Sequence, residues 1–227
     1  KNRNAIEEYN KEHIENAIFF DLDRNSNQKK DLPHGHFLPS IESHEKSISK
    51  MGILNKDRII IYCSSDLISS CRVWFQFLYF GHEPKLVSVL DGGMKKWKME
   101  GKKVTNSKTK IIPSQYKASE NNNMIKIKYQ IEKNIKKREF TVLDARSKNR
   151  FLGIESEPRP GVKSGSIEGS KSLPLIELIN KKDNTFLDKK KLKNIFNLKG
   201  INTNKIVMSC GSSVSASSLA LAYSIIN

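Results

Sequence analysis

One short pattern occurs twice along this chain: an apolar run that ends in a cysteine and opens through small polar residues into a helix-forming stretch. The first copy is Arg58-Ile59-Ile60-Ile61-Tyr62-Cys63-Ser64-Ser65, with the aromatic run Val73 to Phe80 after it. The second is Ile206-Val207-Met208-Ser209-Cys210-Gly211-Ser212-Ser213, with Ser217 to Tyr223 after it. Gly52-Ile53 and Gly200-Ile201 precede the two copies at similar distances, and His13-Ile14-Glu15-Asn16-Ala17 pairs with Ser166-Ile167-Glu168-Gly169-Ser170 further upstream. A repeat of this kind imposes two copies of one α/β unit rather than a single large domain.

The punctuation between the copies sets the expected boundaries. Strand Leu86–Leu90, the turn Asp91-Gly92-Gly93 and a short helix over Met94–Trp97 close the first unit, residues 1–101. Residues 102–123 are polar and proline-containing and read as a linker. The second unit, 124–227, opens with a helix over Tyr129–Lys137 and a strand over Phe140–Asp144. Strands alternating with helical runs predict parallel sheets covered by helices on both faces. Ligands of such sheets bind beyond the carboxyl ends of the strands, where Cys210 stands. The first unit has no counterpart of the second unit's opening strand, and the second stops before a counterpart of Asp91-Gly92-Gly93. A fragment clipped at both ends of a longer protein is therefore expected.

A lone cysteine usually serves as a small hydrophobe. Between a strand and the start of a helix, however, backbone N–H groups and the positive helix end converge on the sulfur and favour the thiolate. The loop carries no basic residue, so backbone amides and hydroxyls are expected to stabilise that charge.

Composition limits the other function classes. The net charge of +16 would suit a phosphate backbone, but the lysines are dispersed and no nucleic-acid motif accompanies them, so no nucleic-acid partner is expected. Runs such as Lys136-Lys137-Arg138 and Lys189-Lys190-Lys191 read as solvated helix faces. No apolar run approaches the ~20 residues that cross a bilayer. Three cysteines without pairing or zinc-ligand spacing fit a reducing, cytoplasmic setting with no metal and no cofactor.

Taken together, several motifs resemble the two-domain rhodanese-like sulfurtransferases, especially the mercaptopyruvate branch. They are His13 to Asp23, His36-Phe37-Leu38-Pro39, Leu90-Asp91-Gly92-Gly93 with Trp97, Asp144-Ala145-Arg146 with Arg150-Phe151, Glu157-Pro158-Arg159, and the Cys210 loop. The resemblance implies tandem rhodanese-like domains, the first an inactive copy and the second catalytic. It implies that Cys210 is the persulfide-forming nucleophile, that Arg150 and Arg159 hold the carboxylate of a small anionic sulfur donor, and that Ser212, His36 and Asp23 form a relay across the domain interface. Gly211, Ser213, Val214 and Ser215 complete the substrate loop. The acceptor implied is a thiol, a thioredoxin-like protein or cyanide. Where the family has glycine this chain has Ser213, which costs on the order of 1 kcal/mol if that position needs a positive φ. Ser166 replaces a histidine, and Cys63 stands where the inactive copy usually has aspartate.

Three other readings compete. A thiosulfate-using enzyme of the same family would usually carry basic residues in the cysteine loop, which Gly211 and Ser212 do not supply. A cysteine-dependent phosphatase requires an arginine where this chain has Ala216 and Ser69. A non-catalytic rhodanese-like binding module would not need Cys210, Arg150 and Arg159 together.

Overall fold

The computed structural model describes residues 3–27, 35–65, 68–158, 162–201 and 205–227. It contains two separate parallel sheets, each built around one copy of the repeat. In the first, β1 (Ile59–Ile61) pairs with β2 (Val87–Val89), Ile59 opposite Val87 and Ile61 opposite Val89. Runs of β-branched residues favour this pleated geometry. Helices α1 (Ala5–Lys11) and α2 (Ile41–Lys50) precede β1, α3 (Ile68–Tyr79) makes the crossover, and α4 (Gly93–Met99) follows β2. In the second sheet β3 (Thr141–Asp144) lies between β4 (Lys171–Ser172) and β5 (Ile206–Ser209). Around it stand α5 (Lys128–Lys137), α6 (Lys148–Phe151), α7 (Lys189–Leu198) and α8 (Val214–Ile226). The parallel α/β architecture is the one that the sequence predicts.

The duplication is visible in the backbone. Asn16 and Gly169, matched in the upstream pair of motifs, are both left-handed, with φ of 62° and 73°. Gly52 and Gly200 are likewise left-handed, at 73° and 67°, and each ends a helix so that the chain can turn into the following strand.

Two cores meet at one seam. The first packs Ile48, Val73, Trp74, Phe77, Val87 and Tyr116; the second packs Leu143, Leu173, Leu178, Leu192, Phe196 and Leu219. Helices α3 and α8 lie against each other between them, and Val89 and Leu221 touch both. Because α8 is buried on several sides, its sequence is apolar or small nearly all round rather than striped. Polar clasps flank the seam. Asp91 Oδ1 accepts from the Phe186 N–H at 2.8 Å, and Lys95 Nζ donates to the Lys181 carbonyl at 3.1 Å.

The stretch expected as a linker runs extended along the first core. Thr105 and His13 exchange backbone hydrogen bonds of 2.7 and 2.8 Å, and the Ser114, Ser119 and Asn121 N–H groups donate to Ser49, Phe80 and Tyr79 carbonyls. Tyr116 anchors it, 1% exposed, with its hydroxyl 3.1 Å from His82 Nδ1. Tyr116 is the one buried residue of a segment that is otherwise largely exposed. Among the described residues, no helix is long and apolar enough to cross a membrane.

Candidate active site

The cysteine loop grows out of the second sheet. The register of β3 and β5 runs to their carboxyl ends, where the Ala145 N–H donates to the Ser209 carbonyl at 2.9 Å. The chain leaves the sheet at half-buried Cys210, passes Gly211 and Ser212, and turns sharply at Ser213, whose φ is 60°. The position therefore does demand a left-handed residue, and serine occupies it under strain. Helix α8 starts at Val214, three residues before the Ser217 start read from the sequence. The tight turn at Ser213 makes the early start possible, and Ser217 Oγ donates back to the Ser213 carbonyl at 2.8 Å. As a result the unpaired N–H groups of the first helical turn lie within a few residues of the sulfur.

At the end of β3, Asp144-Ala145-Arg146 forms the floor of a buried ion network. Arg146 grips Asp144 through Nε (3.0 Å) and Nη2 (2.6 Å), and reaches Glu157 Oε1 with Nη1 at 2.7 Å. Arg150, on α6, holds the same Glu157 through Nε at 3.0 Å and through Nη2. The Glu157 side chain is only 1% exposed, and these arginines, Arg150 first, hold its carboxyl below the usual carboxylate range. The arginine fork is thus kept rigid by a shared acid. Arg159 lies outside the described residues.

Two residues expected in a relay are brought together. His36 Nε2 donates to Asp23 Oδ1 at 2.7 Å, with His36 in a left-handed conformation of φ 65°. Among the described residues the other ring nitrogen, Nδ1, is buried without a hydrogen-bond partner, so no bond runs from it to Ser212. Cys63, the repeat's counterpart of Cys210, is half-buried at the head of α3, its Sγ 3.5 Å from Ser70 Oγ. Gly93 packs close behind it: a Cβ there would stand 2.5 Å from the Cys63 carbonyl oxygen. That contact accounts for the second glycine of the Asp-Gly-Gly turn. A groove of about 1290 Å³ runs from Asp23 and His36 past Cys63 and Ser64 to Val214.

Sequence reasoning missed one cation. The cysteine loop lacks basic residues, as read, but α3 of the other half carries Arg72, which is 1% exposed. Its Nη2 donates to the His36 carbonyl at 2.9 Å, while Nε and Nη1, both buried, have no hydrogen-bond partner among the described residues. Burial pushes its pKa down to about 10, and the Cys210 sulfur pulls the other way. In the sequence Arg72 is one charge inside an apolar, aromatic helix, and that mismatch was the available signal. Glu157 was likewise passed over as part of a motif, although it braces Arg150.

Comparison with known proteins places this geometry. A family model described as "Rhodanese-like domain" matches residues 3–100. The chain is 33% identical over 224 residues to the 3-mercaptopyruvate sulfurtransferase of Homo sapiens, covering 96% of this chain and 73% of the human protein. It is 35% identical over 241 residues to the mitochondrial thiosulfate/3-mercaptopyruvate sulfurtransferase 1 of Arabidopsis thaliana, covering 96% of this chain and 62% of that relative's length. Among solved structures it is similar to SseA of Escherichia coli, described as a 3-mercaptopyruvate sulfotransferase with the "Rhodanese" fold. There the TM-score is 0.88 at 26% identity, over 100% of this chain and 83% of that one.

Proposed function

Because the chain belongs to the rhodanese-like sulfurtransferases, a family with a tandem α/β fold, we propose that it moves sulfur from 3-mercaptopyruvate through a persulfide on Cys210 to a thiol, thioredoxin-like or cyanide acceptor. The observation that carries this reading is Cys210 itself, set at the carboxyl end of β5 and just before the first turn of α8.

In the first half-reaction the Cys210 thiolate attacks the donor's sulfur and an S–S bond forms. The C–S bond breaks, its electron pair leaving on carbon as the enolate of pyruvate, which takes up the proton released by the donor thiol. In the second, an acceptor thiolate attacks the outer sulfur and Cys210 leaves as thiolate. No external oxidant or reductant is required.

In this reading Arg150, held by Glu157 through Nε and Nη2, turns its remaining nitrogen to the donor's carboxylate, and Arg159 adds the bidentate geometry a guanidinium provides. Gly211, Ser212, Ser213, Val214 and Ser215 line the donor, and Asp23 and His36 approach Ser212 from the first unit. The catalytic unit is 124–227 and its inactive partner 1–101, joined by 102–123. Three free cysteines favour a reducing compartment, the cytoplasm, which cell fractionation tests against the mitochondrial setting of the plant relative. The second donor to weigh is thiosulfate, which the plant relative's name includes.

Intact mass spectrometry after exposure to mercaptopyruvate tests the proposal. One added sulfur is expected, mapped to Cys210, absent in Cys210→Ser and retained in Cys63→Ser. Equal loss in both variants would show that the nucleophile has been assigned to the wrong half.

A further inference from the structure

A guanidinium that is 1% exposed, with two of its three nitrogens unpartnered, needs a compensating anion, because an isolated buried charge costs several kcal/mol. Among the described residues Arg72 has no acidic partner. Its one hydrogen bond goes to a neutral acceptor, the His36 carbonyl. The residue beside it, Cys71, is buried in the cluster against which Cys210 packs, and α3 lies along α8, the helix that follows the cysteine loop. We infer that Arg72, carried by the first half, is the counter-ion of the Cys210 sulfur in the second, facing the thiolate before sulfur is taken up and the persulfide anion afterwards. It acts as a positioning residue, deepening the sulfur-transfer reading on which it rests.

Ionisable groups of the surrounding elements do not supply that anion. Cys71, also on α3, is kept a neutral thiol, its pKa pushed up to about 12 by burial. Asp144, at the end of β3, is closed on Arg146. Asp91, beyond β2, accepts from the Phe186 N–H and has its pKa raised, chiefly by burial. His36 is engaged with Asp23. An arginine beside a cysteine lowers the thiol's pKa, and Arg72 and Cys210 are carried by different halves of the chain.

The test measures the rate of Cys210 alkylation by iodoacetamide against pH, read by peptide mass spectrometry on the full chain. Arg72→Gln, shown to be folded by its thermal melt, should raise the midpoint by about 1 pH unit or more. Arg72→Lys should recover about half of that shift, since it keeps the charge but not the fork. An unchanged midpoint in folded Arg72→Gln would overturn the inference.

If Arg72→Gln does not fold, the cysteine side still decides. A pair between a thiolate and a buried guanidinium stabilises the folded chain only while the sulfur carries its charge. The stability gap between the unsubstituted chain and Cys210→Ser should therefore widen as pH rises, and a gap that stays flat rejects the pairing. Alkylation uses no donor, so loss of the Arg72 effect with sulfur loading intact would leave the transfer reading standing. Failure of sulfur loading with the pH shift present would do the reverse.

Discussion

Arg150 and Glu157 are joined through two guanidinium nitrogens, Nε and Nη2, to the two oxygens of a carboxylate that is almost completely buried. The acid fixes the plane of the fork before any donor arrives, leaving Nη1 as the nitrogen free of Glu157. Arg150→Lys keeps a charge but loses that plane, and kcat/KM for mercaptopyruvate should fall ~10-fold or more. Steady-state kinetics with cyanide as acceptor provide the measurement, and unchanged values would reduce Arg150 to a structural ion pair.

Ser213 sits at φ 60° with an exposed side chain, where glycine carries no Cβ penalty. Ser213→Gly should stabilise the chain by up to about 1 kcal/mol, partly offset by glycine's greater freedom when unfolded. A denaturant titration compares the midpoints. A lower midpoint for the glycine variant would mean that the serine makes contacts worth more than its strain.

Donor choice should follow the charge on the loop. With Gly211 and Ser212 neutral, mercaptopyruvate is expected to be favoured over thiosulfate, and replacing the pair with Arg and Lys should move the kcat/KM ratio toward the dianion. The chain's overall positive charge acts only at a distance and is screened over about 8 Å at physiological salt. A native preference for thiosulfate would reverse the donor assignment.

His44 is buried beneath Phe80, the ring centroids 4.1 Å apart. Its Nδ1 accepts from Gln76 at 3.3 Å, and Nε2 has no partner among the described residues. Burial pushes its pKa from 6.5 down to about 3. Between those values the unfolded chain binds a proton that the native state refuses, so stability is complete above about pH 6.5 and declines below it. The slope from this residue approaches roughly 1.4 kcal/mol per pH unit. Denaturant melts at stepped pH should show that decline, and His44→Phe should flatten it between pH 6 and 5, above the carboxylate range.

The repeat, the parallel sheets and the cysteine's place at a strand end were legible because they depend on local pattern. Ile59–Ile61 and Ile206–Ser209 declare themselves as strands, and the left-handed positions at Gly52 and Gly200 are written as glycine. What escaped depends on which surfaces meet. Arg72 was passed over inside an apolar helix, and only the packing of α3 on α8 shows it to be buried. The start of α8 at Val214 escaped for a related reason, since Ser213 takes a backbone conformation that its side chain does not advertise. The backbone bonds of the 102–123 stretch to Ser49, Phe80 and Tyr79 escaped because those partners lie far upstream.

The seam between α3 and α8 also bears on how the chain is made. Synthesis delivers α3 early and α8 late, and units that appear first on the ribosome fold first. Until α8 has emerged, the side of α3 bearing Cys71 faces water, together with Val89 at the end of its sheet. The first half thus passes through a nascent stage with an oxidisable thiol and a sticky apolar flank on view. Both are withdrawn only when the helix that follows Cys210 arrives to cover them.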